Sequence, residues 1–248
     1  MRHLFILITF VILGQSAMAQ TKDVADSLYQ KEDYQHAAKI YEEILSSQGV
    51  AAEIYYNLGN CYYKLDNIPL AILNYERALA LSPGDDDIRS NLAFARGKTI
   101  DKVTPTSEMF FITWWRNFTH FQSLTAWAYA AVICFVLTLM GLLLYFLAYN
   151  INLRKIGFYS ALFFLFLVLL TNFAAYSQYN EMANHTGAIV MDAAVTVKSS
   201  PSENSTDLFV IHEGSKVEIL DSSMQGWIKV KFEEGKQGWI PVKVVEII

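Results

Sequence analysis

The stretch WAYAAVICFVLTLMGLLLYFLAY, Trp127–Tyr149, contains no charged residue. After Asn150–Lys155 (NINLRK) a second uncharged run follows, IGFYSALFFLFLVLLTNFAAY, Ile156–Tyr176. A helix needs about 20 apolar residues to cross the hydrocarbon core of a bilayer, and both runs reach that length. Lipid leaves no partner for open backbone groups, so such runs cross as helices. Residues 125–176 therefore read as a two-helix transmembrane hairpin. Its link carries Arg154 and Lys155, while the nearest charge after the second run is Glu181 and the first lysine is Lys198. Arg and Lys are retained on the cytoplasmic side, so the link is expected inside and both flanking regions outside. Neither run holds an ionisable carboxylate, amine or imidazole, which argues against an ion or proton path. Asn172 is the one strongly polar side chain of the second run, and an interhelical hydrogen bond is expected for it.

Composition agrees with a chain divided between lipid and small water-soluble modules. Of 248 residues, 53% are hydrophobic, and the mean hydropathy is +0.25, too apolar for one ordinary soluble domain. A net charge of −5 supplies no basic face for nucleic acid, so no nucleic-acid partner is expected. Cys61 and Cys134 fall in a predicted soluble helix and in the first span, which excludes a disulfide framework and makes both small packing residues. At the amino terminus, Arg2 and His3 precede a short apolar run. Ala17 and Ala19 then stand before a candidate cut at Gln20, so 1–19 reads as a signal peptide, with an uncleaved amino-terminal anchor as the alternative.

Residues 20–99 repeat themselves. A shift of 34 residues aligns Ala25 with Gly59, Tyr29 with Tyr63, Ala37 with Ala71 and Tyr41-Glu42 with Tyr75-Glu76. That period, with Leu58, Gly59, Tyr62, Ala71, Tyr75, Ala78 and Pro83 in the second copy, resembles the tetratricopeptide repeat. Gly59 and Ala71 allow paired helices to approach, Tyr75 fills the wedge beside them, and Pro83 ends the second helix. A further helix begins near Asp86 and supplies a capping half-repeat. Two and a half repeats are marginal alone, so the unit is expected to lean on a partner, on the membrane or on itself. Its inner face is expected to present Tyr29, Tyr56, Asn57, Asn60 and Tyr63, an aromatic and amide surface for a peptide. Lys22 and Asn57 fit a carboxylate-binding clamp, but Asp26 and Asp87 would repel a carboxylate, so another ligand is expected.

The connector 100–124 contains a turn at Thr104–Ser107. Phe111, Trp114, Trp115 and Phe118 then lie at helical spacing, which suits an interfacial helix in contact with membrane lipid. From residue 186 to 248 the pattern changes to short alternating runs. Strands are predicted at Gly187–Val190, Val195–Lys198, Leu208–Ile211, Lys216–Leu220, Trp227–Phe232 and Gln237–Ile240, which indicates a small all-β barrel. Its GWIKVKF (Gly226–Phe232) and GKQGWIP (Gly235–Pro241) resemble the second half of a bacterial SH3-like domain. Alternation sends Ile228, Val230 and Phe232 inward and Trp227 outward. Trp227, Trp239 and Pro241 become a candidate binding platform. The early aromatic motif of proline-binding SH3 domains is replaced here by VTVKSSP, and Val244 stands where a pocket tyrosine would be, so polyproline binding is not expected.

A signal peptide, tetratricopeptide repeats, two spans and an SH3-like barrel, in that order, resemble the BatE family of the Bacteroides aerotolerance group. So do the phrases DIRSNLAFARGKTIDKV (Asp87–Val103), VTVKSSPSENSTDLFVIHEGSKVEIL (Val195–Leu220) and GWIPV (Gly238–Val242). The resemblance implies a multi-pass protein of the bacterial cytoplasmic membrane with both soluble domains on the periplasmic side. It also implies partners among von Willebrand A-domain membrane proteins and a MoxR-type ATPase. It brings no catalytic residues and no cofactor. The five scattered histidines show no metal-ligand spacing and no nucleophile or phosphate-loop motif is present, which fits a non-enzymatic scaffold. The alternative is a tether whose barrel grips peptidoglycan.

Overall fold

The computed structural model describes residues 22–101, 109–183, 187–232 and 235–248. The signal-peptide segment and the Thr104–Ser107 turn lie outside them. Two compact units result, one holding the helical repeats together with the barrel and the other holding the long apolar helices.

In the first unit, helix α1 covers 22–30 and is followed by α2 (Tyr34–Gln48), α3 (Ala52–Lys64), α4 (Ile68–Leu81) and α5 (Asp86–Gly97). The 34-residue repeat is visible in the backbone: Glu32 and Asp66, one period apart, both turn the chain at positive φ. Asp33 and Asn67 follow them and cap α2 and α4, Asn67 Oδ1 accepting from the Leu70 N–H at 3.2 Å. Asp85 caps α5 by accepting from the N–H groups of Asp87 and Ile88, satisfying donors that a helix start leaves open. Ala25, Ala37, Tyr41, Ile44, Leu58 and Cys61 form one buried cluster, and Ala71, Ile72, Tyr75, Leu92 and Ala95 form the next.

The barrel is one seven-stranded antiparallel sheet in the order β3-β2-β6-β5-β4-β1-β7. All six expected strands are present: β1 (Gly187–Val190), β2 (Ala194–Lys198), β3 (Asp207–His212), β4 (Lys216–Asp221), β5 (Trp227–Lys231) and β6 (Gln237–Pro241). A seventh, β7 (Val245–Ile247), was not expected, because three residues are too short to show alternation. Ile228 and Val230 enter the core with Val195, Val197, Ile211 and Ile240, and Phe232 packs against it. The alternation read from β5 is therefore the alternation that builds the core.

Strand β1 differs from the others in being buried at every residue. Ala188 and Val190 face the barrel core. Ile189, wholly buried, joins the repeat cluster of Tyr75, Leu92 and Ala95. A strand covered on both faces loses its polar alternation, which is why GAIV is apolar throughout. The marginal half-repeat thus leans on its own chain, and the barrel takes the place of the next repeat.

The second unit contains α6 (Phe110–His120), α7 (Leu124–Leu147) and α8 (Ile151–Ala183). Helices α7 and α8 are each long and apolar enough to cross a membrane, and only 11% and 17% of their most apolar windows are buried. A core helix of a soluble domain would be mostly covered. The link is tighter than the Asn150–Lys155 segment expected. Asn150 Oδ1 accepts from the Asn152 N–H at 2.8 Å, so α8 starts at Ile151 and takes Arg154 and Lys155 into its first turns. The Arg154 guanidinium lies 5.3 Å from the Tyr145 ring centre. Close packing rests on small residues. A Cβ added at Gly157 would lie 2.6 Å from Tyr145 N and 2.8 Å from Gly141 O, both backbone atoms. Asn172 departs from expectation, since its Nδ2 donates to Val168 O of its own helix at 2.8 Å. The amide reaches the carbonyl one turn back, so no partner across the pair is needed.

Helix α6 also differs in part. Trp115 turns toward α8, its ring 5.2 Å from that of Phe173 and its Nε1 donating to Ser177 Oγ at 3.2 Å. Phe118 packs on Trp127. The exposed side carries Phe110, Phe111 and Trp114. The aromatic face read from spacing is therefore shared between packing and an outer apolar surface.

Candidate functional site

The inner face of the repeats holds two adjoining cavities that meet at Tyr29. The larger, about 280 Å³, is lined by Lys22, Asp26, Tyr29, Tyr41, Glu53 and Asn57 among others. Asp26 is its hub. Lys22 Nζ donates to Asp26 Oδ2 at 2.7 Å, Asn57 Nδ2 approaches Oδ1 at 3.5 Å, and the Tyr41 hydroxyl donates to Oδ1 as well. Burial and then this bond to Asp26 push the Tyr41 hydroxyl well above the usual tyrosine range, so it remains a donor. Lys22 also reaches Glu53 at 2.9 Å. Beneath the cavity, burial and the charge of Asp26 push the Cys61 thiol up to about 12, which leaves it a packing residue without thiolate character at neutral pH.

The second cavity, about 180 Å³, is bordered by Tyr29, Asn60, Tyr63, Lys64, Tyr75, Asn91 and Phe94. Its polar atoms bond to one another: Asn60 Oδ1 accepts from Tyr75 OH at 2.7 Å and from Asn91 Nδ2 at 2.9 Å. Asn91 Nδ2 also donates to Tyr56 OH at 3.0 Å. Tyr29, Asn57, Asn60 and Tyr63 line these cavities. Tyr56 lies behind them, its hydroxyl held by Asn91 from α5 and its ring 6.0 Å from that of Tyr75. Asp26 as a hub and Phe94 as a wall are additions. Only the folded register shows that Asp26 faces Tyr41 and Asn57, and Phe94 belongs to a half-repeat with no second copy to compare.

On the barrel, Trp227 is paired with Pro241 and Lys229 with Trp239 across β5 and β6. Period two places all four on one outer face, with Lys198 opposite Trp239 on β2. The structure brings Trp227, Trp239 and Pro241 together, and both rings are partly covered.

A third polar constellation joins the repeats to the barrel. Glu76 is 5% exposed and accepts from Arg96 of α5 and, at 2.9 Å, from Lys216 of β4. Burial opposes its charge, but Lys216 and Arg96 together overcome that and hold the carboxyl below its usual range. Asp101 accepts from the His212 N–H at 2.7 Å, from its Nδ1 at 2.9 Å and from Ser215 Oγ at 2.6 Å. Burial again opposes its charge, and these bonds hold it below the ordinary aspartate range. Arg77 donates to Ile247 O at 2.5 Å. Among the described residues, no group of three or more His, Cys, Asp or Glu is arranged to hold a metal ion.

Comparison with known proteins agrees with this geometry. Residues 52–85 match the tetratricopeptide repeat model, the copy whose spacing is clearest. Residues 193–246 match the bacterial SH3 domain. The chain joins tetratricopeptide repeats to a bacterial SH3 domain. Tetratricopeptide repeat protein 16 of Homo sapiens and that of Macaca fascicularis are each 29% identical to this chain over 76 residues. That match covers 31% of this chain and 9% of each relative, so the likeness concerns the repeats. Both module types typically serve binding, to proteins or to cell wall.

Proposed function

We propose that this chain is a non-enzymatic, membrane-anchored scaffold of a Bat-type, aerotolerance-associated assembly. Helices α7 and α8 anchor it in the bacterial cytoplasmic membrane, and the repeats and barrel bind proteins on the periplasmic side. The observation that carries the reading is an open, cavity-bearing inner face on repeats whose outer end is already closed by the barrel. A groove left open on a solenoid stabilised elsewhere is available to a partner. The order of modules and the phrases resembling the BatE family support partners of the von Willebrand A-domain type and a MoxR-type ATPase.

Sidedness is tested first. Single cysteines placed at exposed Val24 or Met224, with Cys61 and Cys134 replaced by Ala, are expected to react with a membrane-impermeant maleimide once the periplasm is opened. A cysteine at Asn150 is expected to stay unreacted until the membrane is dissolved. The opposite labelling pattern overturns the arrangement. Cross-linking in native membranes followed by affinity capture of the intact chain then tests the assembly, and absence of A-domain membrane proteins counts against it.

A second reading makes the chain a cell-wall tether, favoured by Trp227, Trp239 and Pro241 sharing one outer face of a bacterial SH3 domain. Aromatic rings held partly out of a core are suited to stacking on a ligand. Trp227→Ala in the intact chain is expected to lower co-sedimentation with purified peptidoglycan at least tenfold, about 1.4 kcal/mol, with little change in melting. A large fall in melting temperature with unaltered sedimentation would make the ring structural.

A further inference from the structure

Three donors of the first cavity are already turned to one acid, and this shapes what it can accept. Lys22, Tyr41 and Asn57 all turn toward the chain's own Asp26 carboxylate. An incoming carboxylate would find those donors occupied and two acids, Asp26 and Glu53, against one lysine. Glu53 projects into water with its side chain 67% exposed, bound on one oxygen by Lys22. Such a mouth attracts a cation. One step along, across the Tyr29 ring, the polar groups of the second cavity are satisfied among Asn60, Tyr75 and Asn91. What remains toward solvent is aromatic apart from the exposed Lys64 at the rim, with Tyr29 and Tyr63 half-buried and Phe94 67% exposed. The Lys98 ammonium already sits 4.4 Å from the Tyr63 ring centre, so these rings lie in a setting that tolerates positive charge.

We propose that the groove selects a peptide segment carrying a lysine or arginine next to an aromatic or branched aliphatic side chain. The cation lies beside Glu53 and the apolar group between Tyr29, Tyr63 and Phe94. This rests on the reading of the inner face as a protein-binding groove and names the chemistry of its partner.

The intact protein in detergent micelles, panned against a phage-displayed library of random 12-residue peptides, tests it. Enriched sequences are expected to combine Lys or Arg with a nearby aromatic or branched aliphatic residue. A synthetic consensus peptide should lose at least tenfold in affinity against Glu53→Lys and again against Phe94→Ala. Changing the peptide's Lys to Glu should restore binding to the Glu53→Lys protein. Both positions are exposed, and an unchanged helix signal on melting shows that the variants fold. Enrichment of acidic sequences whose binding still requires Phe94 would overturn the charge assignment while leaving the groove in place. No enrichment, or enrichment indifferent to both substitutions, would overturn the groove reading together with this proposal.

Discussion

Glu76→Ala is expected to destabilise the contact between repeats and barrel by about 3 kcal/mol, and to split one cooperative unfolding transition into two. Removing one member of a buried ion pair typically costs about 3–5 kcal/mol because its partner keeps a charge out of water. Here Arg96 and Lys216 are 39% and 31% exposed and can turn partly to solvent, which places the cost at the lower end. Denaturant unfolding of the intact chain in detergent, with Trp114, Trp115 and Trp127 replaced by Phe so that fluorescence reports the barrel rings Trp227 and Trp239 while helix signal reports the repeats, measures it. Coincident transitions unchanged from the parent would show that the carboxylate does not couple the two modules. Acid should act in the same direction. Glu76 and Asp101 both titrate below their ordinary values in the folded state, so their contribution is complete above the unfolded values and disappears as pH falls through the folded ones. The modules are therefore expected to separate only below about pH 4, and Glu76→Ala should flatten that acid limb.

Gly59→Leu is expected to unfold the repeats, at a cost of about 3 kcal/mol or more. A Cβ at Gly59 would lie 2.7 Å from two ring carbons of Tyr75. That ring is 1% exposed and its hydroxyl is bonded to Asn60, so it has nowhere to go. Overpacking a tight contact costs roughly 1–3 kcal/mol even for small insertions, and leucine adds a whole side chain. Gly97→Ala is the matched control, because nothing lies within 4 Å of a Cβ there. It should leave melting unchanged or raise it slightly, alanine being the better helix former. Equal loss of helix signal in both variants would remove the close approach of α3 and α4 as the reason for Gly59.

The elements were legible wherever one physical rule governed the residues. Uncharged length marked α7 and α8, a 34-residue period marked the repeats, and alternation at Ile228 and Val230 marked the barrel core. Local capping shifted what those rules could not see: Asn150 starts α8 early, and Asn172 finds its partner one turn back. Of the candidate site, Tyr29, Asn57, Asn60 and Tyr63 followed from register alone. Asp26 as a hub did not, since an acid on a helix surface looks the same in sequence whether it faces water or three donors. The junction between repeats and barrel was least accessible. Glu76 pairs with a lysine 140 residues away, and no spacing rule connects them. The apolar run at β1 was a partial clue, since β3 carries a similar run, Leu208–Ile211, yet leaves Leu208 and Val210 exposed.

That junction also has a consequence in time. The residues that close the half-repeat, Ile189, His212, Lys216 and Ile247, are all made after both long apolar helices. Arg77 must wait for a carbonyl 170 residues later. At roughly 5–20 residues per second of synthesis, the interval between completing α5 and completing the barrel is on the order of ten seconds. During it the nascent repeats carry an uncovered patch around Tyr75, Leu92 and Ala95, and contacts of such long sequence separation form late. The repeat module therefore completes its packing only once the last strand has been translated.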